Sequence, residues 1–234
     1  MTEQEFISLV KTNLGLSLDD IKLNLLEIYC NYLIEYNKNV NLTAIKDKKD
    51  IYLKHFYDSL TLVKVTDLNQ VNNLLDIGTG AGFPGMVLKI IFPHLKVTLL
   101  DSNNKKIKFL KSLSQKLGIE VNLINDRAEI YAKKHLEEFD IVTSRAVAEL
   151  PILIELSIPY LKKHGLFIAL KSKVNQELDA SKKIIKDIKC NVEKVYNFNL
   201  PILNHERTIV VIKKCEKTPK KYPRNYSEIL KDIK

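Results

Sequence analysis

The sequence predicts an α/β fold: a seven-stranded, mostly parallel sheet with helices on both faces, preceded by an N-terminal helical cap. Apolar residues recur at helical spacing through residues 1–70, and no strand pattern precedes residue 73. From there, short apolar runs alternate with amphipathic ones, which is typical of a parallel sheet covered by helices. The last two apolar runs have no helix between them, which indicates an antiparallel hairpin. We therefore expect a cap (1–70), an α/β domain (71–214) and a basic tail (215–234).

The cap is predicted to contain three helices. The first covers 2–15, because Thr2 and Glu5 stand in capping-box positions and Gly15 is a typical stop. The second begins at Ser17 and repeats apolar residues at helical period. The third covers 47–65.

The α/β domain is predicted from its strands. A helix follows each of the first five strands, and Pro84 fits the first position of the first of these helices. Two of these five helices are indicated by amphipathic runs at 104–118 and 177–188. The predicted strands are 72–77, 96–101, 120–125, 139–144, 165–171, 191–201 and 207–214.

Composition excludes several classes of protein. The chain of 234 residues is 45% apolar and 28% charged, as expected for a soluble globular protein. Its polar, acidic start does not resemble a signal peptide, and no apolar run has the length of a membrane span. The three cysteines and five histidines are dispersed, without the spacing of a disulfide framework or a metal site. We expect a cytoplasmic protein without a metal or a membrane partner.

Positive charge is concentrated near the C-terminus. The net charge is +9, and residues 213–224 carry six Lys or Arg against one Glu. Such a stretch favours a polyanionic partner, most commonly nucleic acid. The alternative is a solvated tail that keeps the protein soluble, and charge alone separates the two only slightly.

The segment "DIGTGAGFPG" (76–85) carries the main functional signal. Three glycines alternate at Gly78, Gly80 and Gly82, which indicates close approach of a ligand or a turn that no side chain allows. Position 83 is Phe and no Gly-Lys-Ser/Thr follows, so neither a dinucleotide fingerprint nor a P-loop fits. The pattern D-x-G-x-G-x-G, which starts at Asp76, is the arrangement of S-adenosylmethionine (SAM) sites. A tight turn without a ligand and a site for another nucleotide are the alternatives.

Two further segments could complete such a site. Asp101 ends the second strand, 23 positions after Gly78, where an acid would meet ribose hydroxyls. It could also cap the helix that starts near Asn103, and both roles can hold. "NDRAE" (125–129) lies where adenine would sit, but Asp126 and Glu129 are also spaced as a capping box, so the residues alone give no preference.

With these motifs in place, the chain resembles the RsmG family, also called glucose-inhibited division protein B. The resemblance implies a Rossmann-like, class I SAM-dependent methyltransferase domain behind the helical cap. It also implies methylation of guanine N7 in the 530 loop of 16S rRNA, with 16S rRNA or the 30S subunit as partner. We expect a monomer. The matching segments are 36–45, 53–60, 76–85, 126–129, 144–150, 200–214 and 218–224.

The resemblance also implies site residues. Cofactor contacts are implied at Gly78, Phe83, Ala128, Glu129 and Arg145, to which the motif analysis adds Gly80, Gly82 and Asp101. Functional arginines are implied at Arg127, Arg145 and Arg207. After "KKYPR" the family often continues with a Lys-Pro-Gly-x-Pro-type tail, whereas "NYSEILKDIK" follows here, so RNA contacts beyond Arg224 are in doubt. The residues expected to bind RNA are Arg127, Lys171, Arg207, Lys220, Lys221 and Arg224.

The implied reaction needs no general base, because guanine N7 has a free lone pair and no proton. "TSRAVAELP" occupies the place of the Asn/Asp-Pro-Pro-aromatic motif of amino methylation. Arg145 in this segment is expected to position the cofactor, a phosphate or guanine O6; the alternative is a pair with a surface carboxylate. His55 and Asp58 share a helix face, and we expect a packing cluster between cap and α/β domain rather than a catalytic pair.

Two rival functions are compatible with parts of the sequence. One is a SAM-dependent enzyme acting on a small molecule or a protein, against which the basic tail weighs. The other is a non-catalytic RNA-binding assembly factor with a relic SAM pocket. The complete glycine motif together with Asp101 weighs against the second rival.

Overall fold

A seven-stranded sheet forms the centre of the molecule, in a computed structural model that describes residues 1–145 and 147–232. The strand order is β3-β2-β1-β4-β5-β7-β6. Pairs from β3 to β5 are parallel, and β7 runs antiparallel to both of its neighbours. The predicted fold class and the terminal hairpin are therefore confirmed. The strands are β1 Asn73–Ile77, β2 Lys96–Leu100, β3 Asn122–Ile124, β4 Phe139–Arg145, β5 Leu161–Lys171, β6 Cys190–Asn199 and β7 Glu206–Lys214.

Helices cover both faces of this sheet. The cap helices are α1 Glu3–Leu14, α2 Asp20–Asn37, α3 Lys48–Ile51 and α4 Asp58–Leu60. A π-helical stretch, Tyr52–Tyr57, joins α3 to α4, and a 3-10 turn, Thr61–Lys64, follows, so the third predicted helix is one continuous helical run. The later helices are α5 Gly85–Ile91, α6 Asn104–Leu117, α7 Ala128–Tyr131, α8 Leu150–Ser157, α9 Asn175–Asp187 and α10 Tyr226–Ile229.

Local capping explains where the first helices begin and end. Thr2 and Glu5 form the predicted capping box, and Gly15 ends α1 at φ 67°. The second helix begins at Asp20 rather than Ser17, because the Asp19 side chain accepts a hydrogen bond from the Lys22 N–H. Pro84 is the residue before α5 and not its first residue.

Two hydrophobic cores lie on opposite faces of the sheet. The first joins the cap helices to α5, α6 and one sheet face, so the cap and the α/β domain share a continuous apolar core. The second joins α7, α8 and α9 to the other face. Tyr222 and Ile229, from the predicted basic tail, are buried in this second core. The segment after β7 is thus packed on the sheet rather than a free solvated tail.

The topology leaves a crevice at one edge of the sheet. From β1 the chain moves outward through β2 to β3 and then returns to β4 on the other side of β1. In open parallel sheets, ligands bind outside the carboxyl ends of the strands at such a switch point. Gly78 follows β1 directly, and Arg145 ends β4. The fold therefore places both at the crevice.

Candidate active site

A cavity of about 540 Å³ occupies the crevice at the carboxyl ends of β1, β2, β3 and β4. The sheet contributes the glycine turn and the residues that follow β2 and β3. The cap contributes side chains from the other side, and α10 closes part of the rim. The walls include Leu42, Thr43, His55, Gly78, Thr79, Gly80, Phe83, Asp101, Lys106, Asp126, Arg127, Ala128, Glu129, Arg145, Val147, Leu156 and Tyr226.

The three alternating glycines all have positive φ, but they meet different surroundings. Gly78 (φ 65°), Gly80 (62°) and Gly82 (102°) adopt conformations that side chains rarely allow. A Cβ on Gly78 would lie 2.5 Å from Val147 Cγ2, and one on Gly82 would lie 2.7 Å from the Tyr29 hydroxyl. A Cβ on Gly80 would meet only a backbone oxygen at 4.0 Å. Packing thus requires two of these glycines, whereas Gly80 borders open cavity space.

Asp76 supports the glycine turn from below. Its Oδ2 accepts hydrogen bonds from the Thr79 hydroxyl (2.7 Å) and from the Gly85 N–H (2.9 Å). The residue is fully buried, and burial raises the pKa of its carboxyl to about 7. Among the described residues, Oδ1 has no hydrogen-bond partner. Asp76 therefore shapes the turn and is not part of the cavity wall.

Asp101 connects the glycine turn to the start of α6. Its Oδ2 accepts from the Gly80 N–H (3.0 Å), with Lys106 Nζ at 3.4 Å. Its Oδ1 accepts from the Asn103 N–H (2.8 Å), while the helix itself is capped by the Asn103 side chain. The cap of α6 is therefore Asn103, and Asp101 is a carboxylate in the cavity wall. Its role toward ribose stays a prediction.

The segment after β3 has no capping box. The residue before α7 is Arg127, and its side chain makes no capping hydrogen bond. Asp126 instead accepts from the Arg127 N–H (2.7 Å), and Arg127 Nε donates to the buried Glu129 carboxylate. The capping-box alternative for Asp126 and Glu129 is therefore wrong. Glu129 and Ala128 both line the cavity.

Four residues form an ionic cluster between the cap and the sheet: His55, Asp58, Arg145 and Arg207. Asp58 Oδ2 accepts from Arg145 Nη1 (3.1 Å), and its Oδ1 accepts from Arg207 Nε (3.0 Å). Only 6% of the Asp58 side chain is exposed. Arg145 is thus paired with a buried cap carboxylate and not with a surface one. The arrangement agrees with the predicted packing cluster of His55 and Asp58.

The same cluster borders the cavity through Phe83. The His55 ring stacks on Phe83 with centroids 4.3 Å apart, and the Arg145 guanidinium carbon lies 5.1 Å from the Phe83 centroid. Arg145 also donates to the Lys54 carbonyl (3.0 Å). Since these contacts fix the guanidinium from several sides, Arg145 is held rigidly in the cavity wall.

His55 is neutral in the folded protein. Burial, followed by the positive charge of Arg145, lowers the pKa of its ring to about 3. Its Nδ1 accepts from Arg145 Nη2 (2.9 Å), so the proton lies on Nε2, which donates to the Thr43 hydroxyl (3.0 Å). Both ring nitrogens are engaged, which suits a structural role and not a general base.

We expect the lowered His55 pKa to make stability fall in acid. The pKa of His55 in the folded protein (about 3) lies below its ordinary 6.5. The contribution of the neutral ring to the free energy of unfolding is therefore complete above pH 6.5 and is lost as the pH falls toward 3. The pKa of Asp76 is raised from its ordinary 3.8 to about 7, so this residue has the opposite effect: between these values its contribution to the free energy of unfolding increases as the pH falls. Relative to His55→Gln, wild type should lose up to about 2 kcal/mol between pH 7 and pH 5. Urea unfolding at both pH values measures this, and equal losses in both proteins would refute it.

The predicted RNA-binding residues divide into two groups. Lys220 and Lys221 are exposed, and half of the Arg127 side chain is exposed. Lys171 is only 10% exposed and bonds to Glu177 (2.7 Å) and the Ala148 carbonyl (2.8 Å). Its ammonium group therefore has two partners within the fold, and a role of Lys171 toward RNA stays a prediction.

Arg207 and Arg224 also have partners within the fold. Arg207 belongs to the ionic cluster described above. Arg224 donates from Nε and Nη2 to the Glu155 carboxylate (2.9 and 2.7 Å), of which 1% is exposed. Asp232 accepts from its Nη1 (2.6 Å). Arg224 therefore attaches the C-terminal segment to α8, and its predicted contact with RNA stays a prediction.

Sequence reasoning missed several residues of the cavity wall. Lys106, which approaches Asp101, follows it by five positions, and its spacing from the helix start could have indicated this contact. Val147, Leu42, Thr43 and Tyr226 carry no such signal, because their place depends on how distant elements pack.

Two absences hold for the described part of the chain. In residues 1–145 and 147–232, no group of three or more His, Cys, Asp or Glu side chains is placed to hold a metal ion. None of the helices in these ranges combines the length and apolar character needed to cross a bilayer.

Comparison with solved structures shows which known fold this chain has. A SAM-dependent O-methyltransferase from Thermotoga maritima superimposes with a TM-score of 0.52, covering 80% of this chain and 73% of that one at 16% identity. A ribosomal protein L11 methylase from Lactobacillus delbrueckii subsp. bulgaricus gives 0.52, with 74% and 81% covered at 14% identity. The chain thus has the fold of SAM-dependent methyltransferases.

Sequence comparison identifies the family. The ribosomal RNA small subunit methyltransferase G of Bacillus subtilis is 49% identical over 214 residues, which is 90% of each chain. The protein of the same name from Bacillus velezensis is 47% identical over 228 residues, covering 96% of this chain and 95% of that one. The family model GidB, described as rRNA small subunit methyltransferase G, matches residues 22–213. The chain belongs to the GidB family of rRNA small subunit methyltransferases.

Proposed function

We propose that this chain transfers a methyl group from SAM to N7 of a guanine in the 530 loop of 16S rRNA. The observation that carries the proposal is the cavity at the switch point, where Gly80 leaves open space beside the carboxylate of Asp101. Membership of an rRNA methyltransferase family supports the substrate class. The choice of guanine N7 is the finer step of the proposal.

Each part of SAM can be matched to residues that line the cavity. The turn around Gly80 has backbone surface that no side chain covers, which suits close approach by the methionyl part. Asp101 uses one oxygen for Gly80 and Lys106 and the other for Asn103, and a carboxylate has about four acceptor sites, so it can still accept from ribose hydroxyls. Ala128 and Glu129 form the wall beyond it. Bound there, SAM would supply an electrophilic methyl group on a sulfonium.

The protein's own contribution would be alignment. Guanine N7 attacks through a lone pair that carries no proton, so no residue has to act as a base. His55, with both ring nitrogens engaged, matches that requirement. Holding the two reactants in line can contribute about 7–11 kcal/mol in favourable cases. Phe83 and the rigidly held Arg145 would position the reactants. Asp58 and His55 accept from Nη1 and Nη2 of Arg145, so these donor groups would not occupy the lone pair of N7.

One chain contains every residue of this cavity, so we propose that the monomer is active. Its substrate, the small ribosomal subunit or its rRNA, places the reaction in the cytoplasm. The test is transfer of labelled methyl from SAM to 30S subunits, to naked 16S rRNA and to a metabolite extract. Label in 30S or 16S rRNA is the expected result. Label only in metabolites would favour the small-molecule rival, and SAM binding without any transfer would favour the assembly-factor rival.

We expect RNA affinity to fall steeply with salt, because Lys220 and Lys221 expose their charges on the segment that leads to the cavity rim. In the double variant Lys220→Ala/Lys221→Ala, the slope of log affinity against log salt should fall by about 1.4, or about 0.7 per lost phosphate contact. A matched control is Lys96→Ala/Lys163→Ala, which removes two exposed lysines near the amino ends of β2 and β5, at the opposite edge of the sheet. Filter binding of 16S rRNA between 50 and 300 mM salt (roughly the range in which such slopes are measured) is the assay. Equal slopes in both double variants would contradict the proposed interface.

A further inference from the structure

The C-terminal segment places an aromatic ring in the wall of the cavity. Tyr226, the first residue of α10, lines the cavity together with Asp126, Arg127, Ala128 and Glu129. The guanidinium carbon of Arg127 lies 4.9 Å from the Tyr226 ring centroid. The ring therefore stands on the β3–α7 side of the cavity, opposite the part formed by Phe83 and the ionic cluster.

Three contacts fix the chain segment that carries this ring. Arg224, two residues before it, is bonded to the buried Glu155 carboxylate through both Nε and Nη2. Tyr222 and Ile229, on either side, are buried in the core of that sheet face. The Asn225 N–H donates to Glu228 Oε2 (3.0 Å), which closes a capping box at the start of α10. Since the free protein already holds this segment in place and Arg127 lies over the ring, a ligand that stacks on Tyr226 has little backbone to order.

We propose that Tyr226 is a binding residue for the adenine ring of the methyl donor, which stacks against its face. The inference rests on the proposed function, because it takes SAM as the ligand of the cavity. Nucleic-acid bases, purines included, stack on aromatic side chains because every base has a π-face. Ala128 and Glu129 line the same cavity as the ring, where they can meet the polar edge of a purine. Arg127, with its guanidinium carbon 4.9 Å from the ring centroid, would hold the phenol ring by a cation–π contact while remaining bonded to Glu129.

Placement on the β3–α7 side distinguishes adenine from the target guanine. A substrate base has to reach the methyl group, and Phe83 and Arg145, which contact each other and the cap, line a part of the cavity away from β3 and α7. In doubly wound folds, the acid after the second strand meets the ribose, so the base continues toward the third strand. Asp101 directly follows β2, and Tyr226 contacts Arg127, which lies shortly after β3. The C-terminal segment, which departs from the sequence common in the family, would thus complete the donor site.

The test is calorimetric titration of S-adenosylhomocysteine into wild type, Tyr226→Phe, Tyr226→Leu and Tyr226→Ala. The phenylalanine variant should bind within about twofold of wild type, and the leucine and alanine variants about tenfold or more weakly. Adenosine alone should lose affinity in the same proportion, because the ring contacts only that half of the ligand. Tyr196→Ala, which removes a half-buried tyrosine of β6, is the control and should bind as wild type does.

Each of the other possible outcomes of this titration contradicts one specific claim. If wild type binds and Tyr226→Leu binds equally well, the role of Tyr226 is wrong and the proposed function stands. If Tyr226→Leu keeps its affinity for S-adenosylhomocysteine but loses affinity for 30S subunits, the ring serves the RNA, and the inference is overturned. If wild type itself does not bind S-adenosylhomocysteine, the proposed function is contradicted, and the inference about Tyr226 is overturned with it. The leucine variant keeps an apolar side chain at this position, so the test remains decisive even if the alanine variant does not fold.

Discussion

Asp58→Asn is expected to lower the free energy of unfolding by about 3 kcal/mol, because one buried carboxylate pairs with two arginines. Arg145 and Arg207 are 14% and 21% exposed, so neither guanidinium can regain full hydration when its partner is neutral. An asparagine offers one acceptor oxygen, and its amide group would face the second arginine. Urea unfolding of the purified variant measures the loss.

The same change should also reduce methyl transfer. Asp58 supplies the charged contact among those by which the cap fixes Arg145 in the cavity wall, and Arg145 in turn covers one side of Phe83. A positioning group that moves by about 1 Å can cost about 100-fold in rate. We expect kcat to fall by about that factor, while the affinity for S-adenosylhomocysteine changes less.

Asp50→Asn is the matched control for this prediction. Asp50 lies on the same helical run and pairs with Lys54 at 2.8 Å, but 41% of its side chain is exposed. Exposed pairs of this kind contribute about 0–1 kcal/mol. Similar losses of stability in Asp50→Asn and Asp58→Asn would contradict the assigned role of the ionic cluster.

Gly80→Ala is expected to reduce the affinity for SAM by about 100-fold or more while the protein remains folded. The new methyl group would have no clash within the protein, since its nearest neighbour is a backbone oxygen at 4.0 Å. It would instead occupy space in the cavity where the donor is expected. The positive φ of 62° adds a conformational cost of about 1–2 kcal/mol to the fold.

Gly118→Ala separates that conformational cost from the effect on the cavity. Gly118 also has φ 62°, and a Cβ added there would have no atom within 4 Å, but this glycine ends α6 and does not line the cavity. Both variants should lose similar stability in urea unfolding, and only Gly80→Ala should lose donor binding in calorimetry. Wild-type affinity in Gly80→Ala would show that the donor does not approach this turn.

Local patterns in the sequence were sufficient to predict the sheet and the glycine turn. Seven strands were predicted because alternation of short apolar and amphipathic runs directly encodes a parallel sheet, and the sheet has that number. Gly78, Gly80 and Gly82 were recognisable because positive φ selects glycine within a few residues of chain. Sequence could not show that packing requires two of these glycines and leaves the third beside open space, because this depends on the positions of Val147 and Tyr29 in the fold.

Contacts between distant elements could not be predicted in this way. Asp58 is separated from Arg145 by 87 residues and from Arg207 by 149, and no periodicity connects them. The pairing of Arg224 with Glu155, 69 residues away, is of the same kind. A basic residue in a charged segment is usually a solvated charge, so its buried partner was invisible in the sequence. For the same reason Tyr226 was not expected at the cavity.

The measurement that tests the central claim most directly is a map of N7-methylguanine in small-subunit rRNA. The rRNA is isolated from cells that carry the intact gene, a deletion, Gly80→Ala or Gly118→Ala, and is cleaved chemically at N7-methylated guanines. We expect one cleavage in the 530 loop with the intact gene and with Gly118→Ala, and none with the deletion or with Gly80→Ala. Unchanged cleavage in the deletion strain, or loss of a methyl group at a position other than guanine N7, would contradict the proposed reaction.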